Sequence, residues 1–383
     1  MQYRDFGKTG RTVSILGFGA MRLPERKDGT CDIEQSVPIL RRGIDLGINY
    51  IDSAHVYIKG TSEIAVGEAI KGHERENLSI ATKIPVGEEQ TATAESWRTR
   101  LEESLRRLDT PYIDFIFFHS LKWQAFRQWV SRPGMALQEA RKAQDEGLVR
   151  HLCFSSHDTP ENIINLINTR EFAAMLVQYN FLERTNEKAI ARASAAGMGV
   201  AVMGPLAGGR LAVPRGVALD EEEHLTLEIP RLALRFVWNN PGVAVALSGM
   251  SETAQVEANT QEADAFGELT EDEVAVVRRL MEKNRRLSEL YCTGCGYCLP
   301  CPNQVNIPEN FRYMNWYRVW GLEDKAKEAY AKLGGERNWS PWAGVIEGLK
   351  AEECVECGEC IPKCPQNIPI IEQLKEVARM LST

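Results

Sequence analysis

Residues 48–85 read INYIDSAHVYIKGTSEIAVGEAIKGHERENLSIATKIP, with a helix-like stretch between two short apolar runs. These runs, Ile48–Asp52 and Leu78–Lys83, have the length and composition of buried strands. Similar runs recur along the first part of the chain, at Ser14–Gly19, Ile48–Asp52, Leu78–Lys83, Ile113–His119, Arg150–Ser155, Ala174–Gln178, Gly199–Met203 and Val243–Ser248. Helix-like stretches separate them. Eight strands alternating with helices over roughly 250 residues predict a (β/α)8 barrel, in the α/β class.

A doubly wound parallel sheet is the alternative to the barrel. No G-x-G-x-x-G motif follows the first strand, so the usual phosphate loop of that fold is missing. The chain has 383 residues, which is too long for one ordinary domain. We therefore expect the barrel to occupy residues 1–285 and a smaller domain to occupy residues 286–383.

Composition and charge restrict the class of protein. The chain is 44% hydrophobic and 26% charged, as in globular proteins, and its formal net charge is −8. A negative net charge disfavours a surface that binds nucleic acids or anionic membranes in general. The start, MQYRDFGKTG, has no apolar segment behind a basic one, and the longest apolar stretch, around Val243–Leu247, is far shorter than the roughly 20 residues that cross a bilayer. We expect a cytoplasmic protein with no nucleic-acid partner and no membrane span.

Eight of the ten cysteines lie after residue 290, in two short runs. The second run, Cys354-Val-Glu-Cys357-Gly-Glu-Cys360-Ile-Pro-Lys-Cys364-Pro365, has the C-x2-C-x2-C-x3-C-P spacing of bacterial ferredoxins. The first run, Cys292-Thr-Gly-Cys295-Gly-Tyr-Cys298-Leu-Pro-Cys301-Pro302, is one residue shorter before its fourth cysteine. In a reducing cytosol such clustering indicates metal binding rather than disulfides. The spacing predicts two [4Fe–4S] clusters.

The spacing also predicts which cysteines share a cluster. Three thiolates at three-residue steps wrap one cubane, and the fourth, which precedes a proline, reaches the other cluster. The predicted ligand sets are Cys292, Cys295, Cys298 and Cys364 for one cluster, and Cys301, Cys354, Cys357 and Cys360 for the other. Gly294, Gly296 and Gly358 let backbone amides approach the sulfur atoms. Zinc knuckles, a disulfide framework, and a [3Fe–4S] or degraded cluster at the shortened run are the alternatives.

The segment between the two cysteine runs contains two helix-like stretches, FRYMNWYRVW and LEDKAKEAYAKLGG. Their aromatic residues are suited to packing around cubanes. At the end of the predicted barrel domain, after its last helix, Thr270-Glu-Asp-Glu273 is a capping box that predicts a helix leading to the first cysteine run. We therefore expect a small, mainly α-helical ferredoxin-like domain.

Four polar residues fall at the ends of predicted strands or just after them: Asp52, Tyr57, Lys83 and His119. In a barrel, chemistry is carried by the carboxyl ends of the strands. Each residue alone has a structural interpretation, as a helix cap, a loop anchor, a rim charge or a core histidine. Together they predict a proton-transfer site, because a lysine cation favours the phenolate, an aspartate keeps that lysine charged, and a histidine donates a second hydrogen bond to a carbonyl oxygen.

The segments around these residues resemble the aldo/keto reductase family. The matching stretches are Asp52-Ser-Ala-His55-Val-Tyr57 with Glu63 downstream, IATKIP around Lys83, FIFFHS around His119, GPLAGGRL at Gly204–Leu211, and SGMSETAQVEANTQ. The resemblance covers residues 1–285 in order, and the whole chain resembles the branch that has a C-terminal ferredoxin-like domain. It implies NAD(P)H-dependent reduction of a carbonyl, or the reverse oxidation of an alcohol, with Tyr57 as the general acid and the other three residues in support.

The same resemblance implies a nucleotide site. Ser155 and Ser156 match a Ser-Asn pair that holds the carboxamide, Gln178 lies two residues after the expected glutamine position, and Met203 replaces a stacking aromatic residue. The other implied contacts are Gly19, Ala20, Met21, Pro205, Leu206, Gly208, Arg210, Leu211, Gly249, Met250, Ser251, Gln255 and Asn259. The basic positions for a 2′-phosphate fall on the uncharged Gly249 and Gln255. Since a charge-assisted contact is lost there, we expect NADH to be used at least as well as NADPH.

Three functions remain open at this point. The first is a carbonyl reductase or alcohol dehydrogenase with auxiliary clusters, and the second is a ferredoxin-linked oxidoreductase whose clusters feed a barrel-bound substrate or flavin. The third is a redox-sensing nucleotide-binding protein with little turnover. A redox partner protein and an anaerobic setting are expected, and His55, Trp123 and His157 are candidates for the substrate pocket.

Overall fold

The computed structural model describes residues 1–209, 211, 229–285, 292, 294–320, 322–335, 339–340, 344–345 and 347–382. The chain divides into two compact units. The first contains Met1–Pro205 and Leu234–Leu269, and the second contains Leu206–Ala233 and Thr270–Thr383. Among the described residues, no helix is both long enough and apolar enough to cross a membrane.

The first unit is built around a closed barrel of eight parallel strands, which confirms the predicted fold. A hairpin of two antiparallel strands, β1 (Tyr3–Asp5) and β2 (Thr12–Ser14), precedes the barrel. The barrel strands are β3 (Leu16–Gly19), β4 (Tyr50–Asp52), β5 (Ser79–Pro85), β6 (Ile113–His119), β7 (Val149–Ser156), β8 (Ala174–Gln178), β9 (Gly199–Met203) and β10 (Val245–Ser248). The barrel closes where β10 pairs with β3.

Helices alternate with these strands along the chain. They are α1 (Ile33–Asp45), α2 (Thr61–Ile70), α3 (Ala94–Leu108), α4 (Trp123–Ala125) with a π-helical turn at Phe126–Val130, α5 (Ala136–Asp145), α6 (Pro160–Asn168), α7 (Glu187–Ala196), α8 (Ile229–Trp238) and α9 (Thr253–Asp264). Local sequence explains where several of them begin. The side chains of Asp32, Thr93 and Thr159 each accept the N–H three residues ahead, as N-caps do.

The interior of the barrel is apolar at its amino end. Phe6, which follows β1, is fully buried and packs edge-on against Tyr50 and Phe115, at centroid distances of 5.4 and 4.9 Å. The loop after β1 is tied to the start of β9 by the N–H of Lys8, which donates to the carbonyl of Gly197 at 2.8 Å. Because side chains alternate along a strand, each strand then presents its last inward residue at the carboxyl end.

The second unit is mainly helical, as predicted. Its helices are α10 (Glu271–Arg285), α11 (Ile307–Trp320), α12 (Glu323–Lys332) and α13 (Ile370–Leu381), and β11 (Trp339–Ser340) pairs antiparallel with β12 (Gly344–Val345). The predicted capping box is confirmed, because Thr270 and Glu273 exchange side-chain-to-backbone hydrogen bonds of 2.9 and 3.2 Å. Phe311, Met314 and Leu374 belong to the buried apolar core of this unit.

Candidate functional site

Neighbouring strands bring three of the predicted catalytic residues to one rim of the barrel. In β4, Asp52 is the last residue, and it aligns with Ala81 of β5. Lys83 lies two residues later on β5, and His119 is the last residue of β6. All three side chains are buried, with exposed fractions of 8% or less. The parallel register therefore places these polar groups together at the carboxyl ends of the strands, where the apolar interior ends.

Lys83 is held by two oxygen acceptors. Its Nζ donates to Oδ1 of Asp52 and, at 2.6 Å, to the carbonyl of Ser53. Burial lowers the pKa of Lys83 from its ordinary value, and the charge and hydrogen bond of Asp52 oppose that shift. Removing one member of such a buried pair typically costs about 3–5 kcal/mol, because an uncompensated charge is left behind.

Tyr57 lies on the loop after β4 and faces the same group of residues. The Nζ of Lys83 is 4.7 Å from the centre of the Tyr57 ring. The rings of Tyr57 and His119 meet nearly at right angles, with centroids 5.8 Å apart. Tyr57 is partly exposed, whereas the other three residues are buried. The structure thus brings all four residues together, with the phenol on the accessible side.

His119 is held in its neutral form. Burial lowers the pKa of His119 well below its ordinary value, and Lys83 and His157 lower it further. Burial also lowers the pKa of His157, to about 4, with a smaller contribution from Lys122. Both imidazoles are therefore uncharged near neutral pH, and each is able to take part in hydrogen bonds without adding a cation to the site.

The loop that carries Tyr57 has a strained backbone and ionic anchors. Ile58 and Lys59 have φ angles of 49° and 53°, in the left-handed region that a β-branched residue rarely adopts. Arg107 of α3 donates through Nη1 to the carbonyl of His55 at 3.0 Å and pairs with the fully buried Glu63 at 3.2 Å. Arg107 therefore fixes the loop just before Tyr57.

Two further contacts connect this anchor to the strands. Thr82, next to Lys83 on β5, donates to Glu63 at 2.6 Å. The Nε2 of His55 is 2.7 Å from a carboxylate oxygen of Glu103 on α3, and this hydrogen bond lowers the pKa of Glu103. His55, predicted as a pocket residue, is thus directed at α3. Trp123 stacks on Phe126, with ring centroids 5.8 Å apart.

The predicted carboxamide-binding residues lie on β7 and β8. Ser155 accepts the N–H of Ser120 at 2.9 Å, and Ser156 donates to the carbonyl of Leu121 at 2.7 Å. Gln178 is buried and lies so close to Gly204 that a Cβ there would be 2.2 Å from its Nε2. These hydroxyl and amide groups therefore belong to the same polar rim as His119.

The predicted adenine-end residues lie around β10 and α9. Gln255 accepts the N–H of Ser251 at 2.9 Å, and Asn259 donates to the hydroxyl of Ser248 at 3.2 Å. Arg22, which sequence reasoning did not select, covers Gly249. A Cβ on Gly249 would be 2.7 Å from Cγ of Arg22. The aliphatic part of the Arg22 side chain therefore packs against Gly249.

The remaining predicted nucleotide contacts are distributed as follows. Gly19 ends β3, with Ala20 and Met21 in the 3-10 turn that follows, while Met250 follows β10 and is buried. Pro205 is in the first unit, and Leu206, Gly208 and Leu211 are in the second, where the N–H of Leu211 donates to the carbonyl of Leu206 at 3.2 Å. Arg210 lies outside the described residues.

The eight clustered cysteines surround two cavities in the second unit. One cavity is bordered by Cys292, Cys295, Cys298 and Cys364, together with Phe311 and Ile370. The other is bordered by Cys301, Cys354, Cys357 and Cys360, and Cys298 and Ile307 lie between the two. The fourth cysteine of each run thus lies with the first three of the other run.

The residues around both cavities suit iron–sulfur clusters, whose iron ions bind cysteine thiolates. Burial and the charges of Cys292, Cys295 and Cys364 raise the pKa of Cys298, so metal cations would be needed to hold Cys298 as a thiolate. The N–H of Gly294 donates to the sulfur of Cys292 at 3.3 Å. Gly294, Gly296 and Gly358 have positive φ angles of 62°, 77° and 79°, which glycine adopts without strain.

Comparison with known proteins assigns the first unit. Residues 15–216, more than half of the chain, match the model of the Aldo/keto reductase family. The chain belongs to the aldo/keto reductase family. Residues 291–368 of this aldo/keto reductase match the 4Fe-4S dicluster domain, so both parts of the predicted resemblance are confirmed.

Similar proteins and solved structures align with about three quarters of this aldo/keto reductase. The "Uncharacterized oxidoreductase YqkF" of Bacillus subtilis is 26% identical over 310 residues, which cover 73% of this chain and 96% of that protein. The aldo-keto reductase AKR11C1 from Bacillus halodurans has a TM-score of 0.60 at 28% identity, covering 73% of this chain and 96% of the other. An aldo/keto reductase from Klebsiella pneumoniae in complex with NADP and acetate has a TM-score of 0.59 at 26% identity, covering 72% and 94%.

Proposed function

We propose that the barrel reduces a carbonyl compound with NADH or NADPH, and that Tyr57 supplies the proton. A bound nicotinamide supplies a hydride to the carbonyl carbon. The Tyr57 hydroxyl transfers its proton to the carbonyl oxygen, so that an alcohol forms, and the phenolate is reprotonated from solvent. The observation that carries this proposal is the Lys83 cation 4.7 Å from the Tyr57 ring, with the neutral His119 edge-on to the same ring.

Each supporting residue has a distinct part in that step. The Lys83 cation stabilises negative charge on the phenol oxygen, and Asp52 keeps Lys83 positioned in a buried site. The neutral His119 offers a hydrogen bond to the substrate oxygen without competing for its proton. Ser155, Ser156 and Gln178 are the residues that would hold the carboxamide.

An anaerobic assay of nucleotide oxidation tests this activity. The protein with its clusters loaded is mixed with NADH or NADPH and 4-nitrobenzaldehyde as a carbonyl probe, and absorbance at the nicotinamide band is followed. The proposal requires oxidation that depends on the carbonyl and yields the corresponding alcohol. Nucleotide binding without such turnover, over a panel of aldehydes and ketones, would favour a sensing protein instead.

For the nucleotide, we propose that NADH serves at least as well as NADPH. Gly249 and Gln255 are uncharged, and Gln255 is engaged with Ser251. Arg22 is the basic residue whose aliphatic stem packs on Gly249, and we assign its guanidinium to a phosphate that both nucleotides share. A measured kcat/KM strongly in favour of NADPH would contradict this preference.

The Arg22→Ala variant distinguishes a contact to a phosphate that both nucleotides share from a contact to the 2′-phosphate, which only NADPH has. Loss of a charge-assisted contact to a shared phosphate should raise the Kd of NADH and NADPH alike, by roughly tenfold each. Titration of intrinsic tryptophan fluorescence measures both constants, and Arg22→Lys, which keeps the charge, serves as the control. A rise confined to NADPH would show instead that Arg22 binds the 2′-phosphate.

Arg107 provides a test of the loop that positions Tyr57. A lysine in its place keeps the charge but lacks the second guanidinium nitrogen. Nη1 of Arg107 contacts both His55 and Glu63, while Nη2 lies 3.6 Å from Glu103. We expect Arg107→Lys to lower kcat roughly ten- to a hundredfold while the Kd of the nucleotide and the melting temperature stay close to wild type. Arg106→Lys, an exposed neighbour on α3, is the matched control, and an equal effect in both variants would rule out a specific anchor.

For the second unit, we propose two [4Fe–4S] clusters, one in each cysteine-lined cavity. The clusters either stabilise a small domain or transfer electrons. Each cluster accepts a single electron whereas nicotinamide delivers two as hydride, so direct exchange between them is not assured by the presence of both. Anaerobic titration with NADH alone separates the possibilities. Bleaching of the cluster absorption by NADH would favour the ferredoxin-linked oxidoreductase over a carbonyl reductase with auxiliary clusters.

A further inference from the structure

Exposed apolar side chains line one of the two cysteine-lined cavities or directly adjoin its lining residues in the chain. Leu299, Val355 and Ile361 have exposed fractions of 38%, 63% and 42%. Val355 borders the cavity of Cys301, Cys354, Cys357 and Cys360; Ile361 directly follows Cys360, and Leu299 precedes the bordering Pro300. We call these three side chains the apolar patch. Large apolar residues grouped on a surface mark interaction sites more often than single ones do.

The cavity beside the apolar patch has a cysteine that reaches the protein surface. Cys357 is exposed, whereas no cysteine around the other cavity is. One-electron transfer requires close approach of the two redox centres. The cluster held by Cys357 is therefore the one that a partner protein reaches most directly.

Acidic residues border the apolar patch. Glu353, Glu356 and Glu359 are all exposed. Glu356 pairs with Lys375 at 2.8 Å, but among the described residues no basic side chain forms an ion pair with Glu353 or Glu359. Lys363 is the one basic residue within the run from Glu352 to Cys364. The surface thus has an apolar centre and a mainly negative border.

We propose that this surface docks a one-electron carrier protein whose contact face is bordered by lysine or arginine. One electron passes between the carrier's redox centre and the cluster held by Cys301, Cys354, Cys357 and Cys360, and that cluster changes by one unit of charge with no proton transferred. Complementary charges favour a basic carrier. A second copy of this chain would present the same acidic border, which disfavours self-association here. The inference rests on the proposed clusters.

Charge reversal at the border tests the docking. The clusters are loaded, reduced with dithionite and mixed in a stopped-flow instrument with a basic c-type cytochrome, so that one electron moves from the cluster to the ferric haem. At an ionic strength of roughly 20 mM, we expect the double variant Glu353→Lys/Glu359→Lys to react about tenfold more slowly than wild type, and the difference to vanish near 0.5 M. Glu323→Lys/Glu328→Lys, which makes the same charge change on α12, should react like wild type.

A second measurement does not depend on electron transfer. Carbodiimide coupling of the oxidised protein to the cytochrome should join its lysines to Glu353 or Glu359, and succinylation of those lysines should abolish both the coupling and the fast reaction. Equal rates for the two double variants, or coupling spread evenly over the surface, would overturn the docking proposal while leaving the clusters intact. Failure of the wild-type protein to hold iron would overturn the proposed clusters themselves.

Discussion

We expect the Tyr57→Phe protein to reduce carbonyl substrates about a thousandfold more slowly than the wild type, a loss of ~4 kcal/mol in transition-state stabilisation. The phenylalanine ring retains the edge contact with His119 and the face presented to the Lys83 cation. Only the hydroxyl that delivers the proton is removed. Nucleotide affinity should therefore change little, and the loss should appear in kcat measured with 4-nitrobenzaldehyde under anaerobic conditions.

Tyr112→Phe is the matched control for this substitution. Tyr112 precedes β6 at the opposite end of the barrel, where the guanidinium groups of Arg75 and Arg150 lie 4.2 and 4.5 Å from the centre of its ring. It also loses only a hydroxyl, so it should keep the wild-type rate. Full activity in Tyr57→Phe would remove the phenol from the mechanism and revive the interpretation of the barrel as a nucleotide sensor.

The second large effect is expected from pairs of cysteine variants. A wild-type chain with two [4Fe–4S] clusters holds about eight irons, and loss of one cluster leaves about four. Because Cys364 lies with Cys295 around one cavity, Cys295→Ala/Cys364→Ala should lose no more iron than either single variant. Cys357→Ala/Cys364→Ala affects both cavities and should lose nearly all iron. Iron analysis and electron paramagnetic resonance of the reduced proteins measure both.

Cys31→Ala is the control for the cysteine pairs, since Cys31 is buried in the first unit beside Ser36. Its iron content should equal that of the wild type. The opposite pattern in the pairs, with about four irons left in Cys357→Ala/Cys364→Ala and almost none in Cys295→Ala/Cys364→Ala, would mean that each run ligates its own cluster.

The barrel was predictable from sequence because its strands are short apolar runs at regular spacing. The first predicted strand began too early, at Ser14. Ser14 belongs to the hairpin strand β2, and its N–H and hydroxyl bond to Asn49 and Leu16 at 2.7 and 2.6 Å, so the barrel strand starts at Leu16. Periodicity alone does not reveal such a change of partner, because Ser14 is buried in either arrangement.

The candidate site was only partly predictable. Asp52, Lys83 and His119 are polar residues at strand ends, a position that indicates function in a barrel. Arg107 was missed because a charged residue on an amphipathic helix is usually solvated. The signal that could have revealed it is Glu63, a charge buried within the apolar stretch SEIAVGEAI that requires a cationic partner.

Transfer of deuterium tests the proposed mechanism most directly. The cluster-loaded protein is given nicotinamide cofactor dideuterated at C4 and a carbonyl substrate in ordinary water, and the product alcohol is analysed by mass spectrometry. Hydride transfer beside Tyr57 predicts one deuterium on the carbon that bore the carbonyl. A product with hydrogen from solvent at that carbon would contradict the account, because the hydride would then not have come directly from the nicotinamide.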